Sequence, residues 1–291
     1  MLRVSAISFL NTAPLMWDFE NAETADTLKK YFHISYTVPS HCAEELKAGT
    51  ADIGIIPVAA YTSIPDLVII PDVAIASKNA VRSILLVSKV PLEKIRSVAT
   101  DNSSRTSTAL VQVFLKKFVG IDAGFTPQQP NLKEMLRWHD AGMLIGDPAL
   151  QAQTQGYYVY DLGEEWKRWT YLPFVFAFWA VRKAALQSLS TDVNIAPVFQ
   201  QSRDSGMKHI PEIASAWSKK LGLKPTSIRE YLSSNIDYSL DAENLQGLRL
   251  FFRYAAECNV LPPAPELRFV DQSALASGKE SAALNSSVNI S

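Results

Sequence analysis

The chain has 291 residues, 47% of them hydrophobic, with 28 basic against 29 acidic side chains and a formal net charge of -1. That length suits two lobes with separate cores, and the balanced charge excludes the bulk attraction on which nucleic-acid or anionic-membrane binding relies, so neither partner is expected. Only Cys42 and Cys258 occur, far apart in sequence, which gives neither a disulfide framework nor a zinc-ligand spacing; both are expected as reduced residues inside the fold.

The opening MLRVSAISFLNTAPL lacks a basic segment, a long apolar run and a small-residue cleavage site, so a cytoplasmic protein is expected. Residues 3–8, 35–38 and 52–57 read as strands. Between the last two, Ser40 follows Pro39 and is placed to cap a helix through Leu46, which Gly49 ends. This is a βαβ crossover, the unit of a largely parallel sheet covered by helices. Apolar segments at 67–76 and 83–87 follow, Pro91 breaks the second, and a new strand at 97–100 opens a second lobe.

In that lobe Leu110, Val111, Phe114, Leu115 and Phe118 recur at helical spacing, so an amphipathic helix is expected from about Ser104. Asn131 with Glu134 three residues on has the spacing of a capping box, and 143–145 reads as a strand. The aromatic run FVFAFWAV at 174–181 has strand length and falls far short of the ~18 apolar residues of a membrane span. Beyond Arg182 the pattern is helical over 183–203, 211–221, 226–233 and 241–258. Two crossings, near 83–89 and 175–182, predict hinged lobes formed by 1–86 with 180–271 and by 87–179. The Ser- and Ala-rich tail, 272–291, is expected to be disordered. No internal repeat stands out, and no pattern specifies an oligomeric state.

In open α/β sheets small ligands gather at the carboxyl ends of the strands, where this chain has three polar loops. In Ser8-Phe9-Leu10-Asn11-Thr12, Asn11 offers a donor and an acceptor to a ligand, or serves the turn. In the segment 101–107, Ser103, Ser104, Thr106 and Ser107 surround Arg105 at an expected helix start, more hydroxyls than a cap needs and suited to a carboxylate. In Gly146-Asp147-Pro148, Asp147 reads first as an N-cap before a helix-starting proline, and second as a group that holds a substrate hydroxyl or Arg105. No Gly-rich nucleotide fingerprint, HExxH motif or lysine in these loops is present, so no cofactor is expected. His33, His41, His139 and His209 lie outside the loops and read as surface or core residues.

Taken together, FLNTAPL, ADIGIIPVAAY, RSILLVS, SSRTSTAL and IGDPAL, in that order, resemble the chorismate dehydratases of the futalosine route to menaquinone, the MqnA family, over about residues 1–270. The resemblance implies a two-lobed α/β fold of the periplasmic-binding-protein type 2 class. It also implies a hydro-lyase that converts chorismate to 3-[(1-carboxyvinyl)oxy]benzoate without a cofactor or metal. By match of motifs, Asn11 and Ser83 are the implied catalytic positions and Ser103, Ser104, Thr106 and Ser107 the carboxylate loop; Arg105 and Asp147 join the substrate-binding set from the residues themselves. Asn11 and Ser83 would meet near the hinge and hold the enolpyruvyl carboxylate close to the departing ring proton, with that carboxylate a candidate base. Thr12 stands where a smaller Ser or Cys is common in the family, and the tail lies outside its pattern. Rival readings are a solute-binding protein for a small carboxylate, the sister dihydroxynaphthoate-forming enzyme, whose first loop typically reads SPCPNDTF, and a ligand-sensing domain.

Overall fold

A computed structural model describes residues 1–187 and 194–270. Among these residues the chain forms ten strands: β1 (Leu2–Ile7), β2 (Phe32–Thr37), β3 (Ile53–Pro57), β4 (Leu67–Ser77), β5 (Ile84–Ser88), β6 (Ser97–Asp101), β7 (Gly124–Gln128), β8 (Ala141–Ile145), β9 (Tyr158–Asp161) and β10 (Phe174–Arg182). They build two five-stranded sheets, β2-β1-β3-β10-β4 and β7-β6-β8-β5-β9. The two orders are the same order. In each, three strands pair in parallel, and the fourth place is taken by an antiparallel strand that lies next to a crossing between the lobes. The sequence shows no repeat because the topology is duplicated while the side chains are not.

β5 lies wholly in the second sheet and β10 wholly in the first. The crossings therefore fall at 78–83 and, through the helix Leu162–Thr170, at 162–173, and the expected boundaries at 86 and 179 lie inside strands. A strand divided between two sheets would leave part of its ladder unpaired. One carboxylate ties the two crossings together: Asp161 accepts from the backbone N–H of Val81 at 3.0 Å and Arg82 at 2.6 Å, and from those of Gly163 at 3.0 Å and Glu164 at 3.1 Å.

β10 is apolar at every position before Arg182 because it lies between β3 and β4 with both faces covered. β4 is an edge strand, which explains how Pro71 and the left-handed Asp72, at φ 64°, fit within it. Its outer side is covered by backbone bonds from Ile69 to Arg268 and Val270 and from Ala76 to Asp237. Rather than two separate cores, one continuous apolar cluster joins Leu2, Ile55 and Phe178 to Leu86, Val98 and Met143 of the second sheet. Alternation along β6 and β8 sends Ala99 and Leu144 to the other face, where they form a small cluster with Met135 and Ala149.

Asn131 caps the helix Leu132–Trp138 as expected, accepting from Glu134 N–H at 3.2 Å. Ser40 does not cap: Pro39 opens the helix Pro39–Ala48, and the Ser40 N–H donates instead to the Ser103 carbonyl in the other lobe at 3.0 Å. Of the helix expected over 183–203, Lys183–Gln187 and Ile195–Lys208 are seen; residues 188–193 lie outside the described residues, as does the tail expected to be disordered. No described helix is long and apolar enough to cross a membrane.

Candidate functional site

The loops after β1, β6 and β8 converge where the lobes meet, around a cavity whose polar walls are Asn11, Ser104, Thr106 and Ser107. The remaining wall is apolar apart from backbone, and includes Phe9 and Gly146. The cavity has a volume of about 40 Å³. None of the lining side chains is a lysine, arginine, aspartate or glutamate.

What these hydroxyls offer follows from the bonds they already make. The Ser104 hydroxyl oxygen accepts from Ser107 N–H at 3.2 Å, closing the first turn of the helix Thr106–Val113. The Thr106 oxygen accepts from Ala59 N–H, in the first lobe, at 3.2 Å. Each oxygen is used as an acceptor, so each hydroxyl keeps its proton to give to an anion. The Ser107 hydroxyl has no partner among the described residues. Asn11 accepts a long bond from the Thr12 hydroxyl at 3.5 Å, which leaves both amide donors free. The arrangement is a set of neutral donors, oriented by backbone and held in apolar surroundings, where each is worth more than in water.

Four of the expected site residues do not reach that wall. Ser103 turns its N–H and hydroxyl to Asp101 at 2.9 and 2.7 Å, so it shapes the loop. Arg105 points outward to Glu44 at 3.2 Å, bridging the lobes on the surface. Asp147 does not cap its own helix: its carboxylate crosses to the first lobe and accepts from Leu10 N–H at 2.9 Å, the start of the 3-10 turn that carries Asn11. Burial pushes the Asp147 carboxyl above its usual range, while the Leu10 bond and the charge of Lys220 hold it down. Ser83 is fully buried behind the wall, beside Ile84, and no hydrogen bond joins it to Asn11.

Ser83 instead accepts from the phenol of Tyr231 at 2.8 Å. Burial raises the Tyr231 pKa, so the phenol remains a donor. Sequence reasoning did not find Tyr231, because 148 positions separate it from Ser83 and within its own segment it is one more inward helix position. Asp101 is buried, with its carboxyl pushed up by desolvation and one oxygen unpartnered. Cys42, whose thiol burial drives up to about 12, is no nucleophile at neutral pH. Among the described residues no cluster of three or more His, Cys, Asp or Glu is placed to hold a metal ion.

Two loop positions depend on the absence of a side chain. Gly146, at φ 57°, would place a Cβ 2.6 Å from the Phe9 ring, which rests on it across the lobe boundary. A Cβ at Gly206, on the helix Ile195–Lys208, would lie 2.0 Å from the Pro14 carbonyl oxygen, so the Asn11 turn sits directly on that helix.

Comparison with known proteins gives three findings. A model of the menaquinone-biosynthesis family matches residues 2–257. A curated chorismate dehydratase from Thermus thermophilus is 30% identical over 258 residues, covering 80% of this chain and 89% of that protein. Among solved structures, a protein from Archaeoglobus fulgidus aligns with a TM-score of 0.67 at 14% identity, over 89% of this chain and 98% of its own. The alkanesulfonate-binding protein of Xanthomonas axonopodis pv. citri, bound to MOPS, aligns at 0.61 and 13%, over 90% and 94%. These last two share the fold, the two-lobed α/β architecture of periplasmic binding proteins.

Proposed function

The chain belongs to the menaquinone-biosynthesis family, whose model spans residues 2–257, and from that membership we propose that it is a chorismate dehydratase of the hydro-lyase class. The substrate is a small dianion that loses water to give 3-[(1-carboxyvinyl)oxy]benzoate. The observation that carries this reading is the cavity itself: oriented neutral donors in an apolar wall, with no acid–base pair. A hydrolase or a transferase would need a nucleophile or a strong base there. Dehydration of a cyclohexadiene yields an aromatic ring and so supplies its own driving force. The enzyme's task is to hold one conformation and exclude competing rearrangement.

In this reading Ser104, Thr106 and Ser107 give their hydroxyl protons, with the helix start behind them, to the ring carboxylate. The free amide donors of Asn11 hold the enolpyruvyl carboxylate beside the ring carbon that loses its proton. That carboxylate takes the proton as the neighbouring carbon gives up hydroxide, and the two depart as water. Ser83 acts from behind the wall: held by the Tyr231 phenol, it fixes the hinge backbone beside Ile84, which lines the cavity. Around 40 Å³ is too little room for a ten-carbon dianion, so the lobes part to admit it, and reclosure on Phe9 and Gly146 excludes water. A cytoplasmic setting belongs to the same proposal and suits the two free, buried cysteines.

The test is incubation with chorismate and identification of the product by mass and proton NMR. A product lighter by one water with an aromatic spectrum supports the reading. Tight binding of a ligand recovered unchanged would replace it with the solute-binding alternative.

A further inference from the structure

The reaction cavity has no cation in its wall, although the substrate proposed for it carries two negative charges. A second chamber of about 260 Å³ adjoins it, and the two share Ile7 and Phe9. Its wall includes Glu20, Tyr36, Trp217 and Lys220. The Glu20 carboxylate is engaged by the Tyr36 phenol. Lys220 has no such partner: among the described residues its ammonium makes no ion pair or hydrogen bond and lies 3.8 Å above the Trp217 ring. Its charge also acts on Asp147, the residue that bonds to the Asn11 turn, and helps to hold that carboxyl down.

An exposed, unpaired ammonium held over an aromatic face is free to meet an anion while its stem is held in place by the ring. The chamber and the cavity share Phe9 and Ile7 in their walls, and the Phe9 ring is seated on the backbone of Gly146. We infer that this chamber is where the dianionic substrate is captured, with Lys220 as the positioning residue for one carboxylate and Phe9 as the shared wall it passes as the lobes part. The inference rests on the proposed dehydration of chorismate. Lys220 does not touch the reacting atoms, so its effect falls on capture and not on the chemical step: it raises the local concentration of an anion and its rate of encounter, both of which salt screens.

The test is a series of initial rates on chorismate at rising sodium chloride concentration for the parent, Lys220→Gln, Lys220→Arg and Lys219→Gln. Lys220→Gln is expected to lower kcat/KM roughly tenfold at low salt with kcat little changed, and to converge with the parent at high salt. Lys220→Arg should restore both the rate and the salt dependence. Lys219→Gln removes an equal charge from the next position of the same helix, outside the chamber, and should follow the parent. A Lys220→Gln protein with the parent's kcat/KM and salt slope overturns the inference while leaving the dehydration intact, and so does a Lys219→Gln protein that loses as much. A parent that does not consume chorismate overturns both.

Discussion

The loops that follow β1 and β6 occupy the same place in two sheets of the same order, yet they bring different chemistry to the cavity. The loop after β6 is dense in hydroxyls, and most are already engaged: Ser103 with Asp101, Ser104 with the Ser107 N–H, Thr106 with Ala59 of the opposite lobe. The loop after β1 has one amide with free donors, Asn11, on a turn fixed from outside by Asp147 and by the close approach of Gly206. Ser103 and Ser104 are set by bonds within their own loop, so that part of the anion site is preformed, whereas the Asp147 bond that places the Asn11 turn, like the Thr106 bond to Ala59, crosses between the lobes and is made only when they are shut. The second loop thus suits binding and the first suits a step that occurs after closure.

The largest effect should fall on the first loop. Asn11→Ala removes donors aligned only in the closed state and is expected to lower kcat by about 10²-fold with a minor change in KM. Ser104→Ala or Thr106→Ala removes a neutral donor from the anion site, worth about 0.5–3 kcal/mol, and should raise KM more than it lowers kcat. Steady-state kinetics on the three variants decide the matter; a kcat effect in the second loop with a KM effect in the first would reverse the assignment.

Next in size is the pair at the hinge, which tests whether the first loop acts alone. Tyr231→Phe leaves the ring in place and removes the donor to Ser83, leaving that hydroxyl free to turn inward on other acceptors. About a tenfold fall in kcat is expected, consistent with loss of one oriented hydrogen bond. Because Ser83→Ala deletes the other end of the same bond, the double variant should be little worse than Ser83→Ala alone. Multiplicative losses in that cycle would show that Tyr231 acts independently of Ser83.

A smaller effect is expected at Arg105, the one cation in the hydroxyl-rich loop. Arg105→Ala loses a half-exposed pair with Glu44, of a kind worth about 0–1 kcal/mol, and should change KM by less than about fivefold. A much larger rise in KM would mean that Arg105 swings into the cavity when substrate arrives, and the second loop would then carry charge as well as hydroxyls.

How far the sequence leads differs by element for physical reasons. Strands buried on both faces, such as β10, and capped helices, such as Leu132–Trp138, announce themselves through composition and local bonding. The edge strands β7 and β9 and the helix Leu162–Thr170 do not, since β7 and β9 are short and half-exposed and that helix is polar along much of its length. At the site, Asn11, Ser104, Thr106 and Ser107 were legible as polar residues at strand ends. The outward turn of Arg105 depends on Glu44, 61 positions away, and the role of Tyr231 on Ser83, 148 away; neither partner leaves a local mark.

Asp147, in the loop after β8, holds the first of the two loops across the lobe boundary, and it gives the finest test of how that turn is held. Its carboxyl is raised by burial above the value of about 3.9 that it takes in the unfolded chain. Between those two values the folded state binds the proton more tightly than the unfolded state does. The group's contribution to stability is therefore greatest below the unfolded value and is lost as pH rises through the folded one. Asn at this position keeps an oxygen to accept from Leu10 N–H and has nothing to titrate. Relative to the parent, Asp147→Asn should melt at a similar or lower temperature near pH 3.5 and gain on it toward pH 7, by a total of about 2–4 °C for each kcal/mol of burial cost relieved. Thermal unfolding across that range reads the difference directly. A gap that stays constant with pH would mean that Lys220 and the Leu10 bond fully offset the burial, and that the charge of Asp147, and not only its oxygen, helps to hold the Asn11 turn.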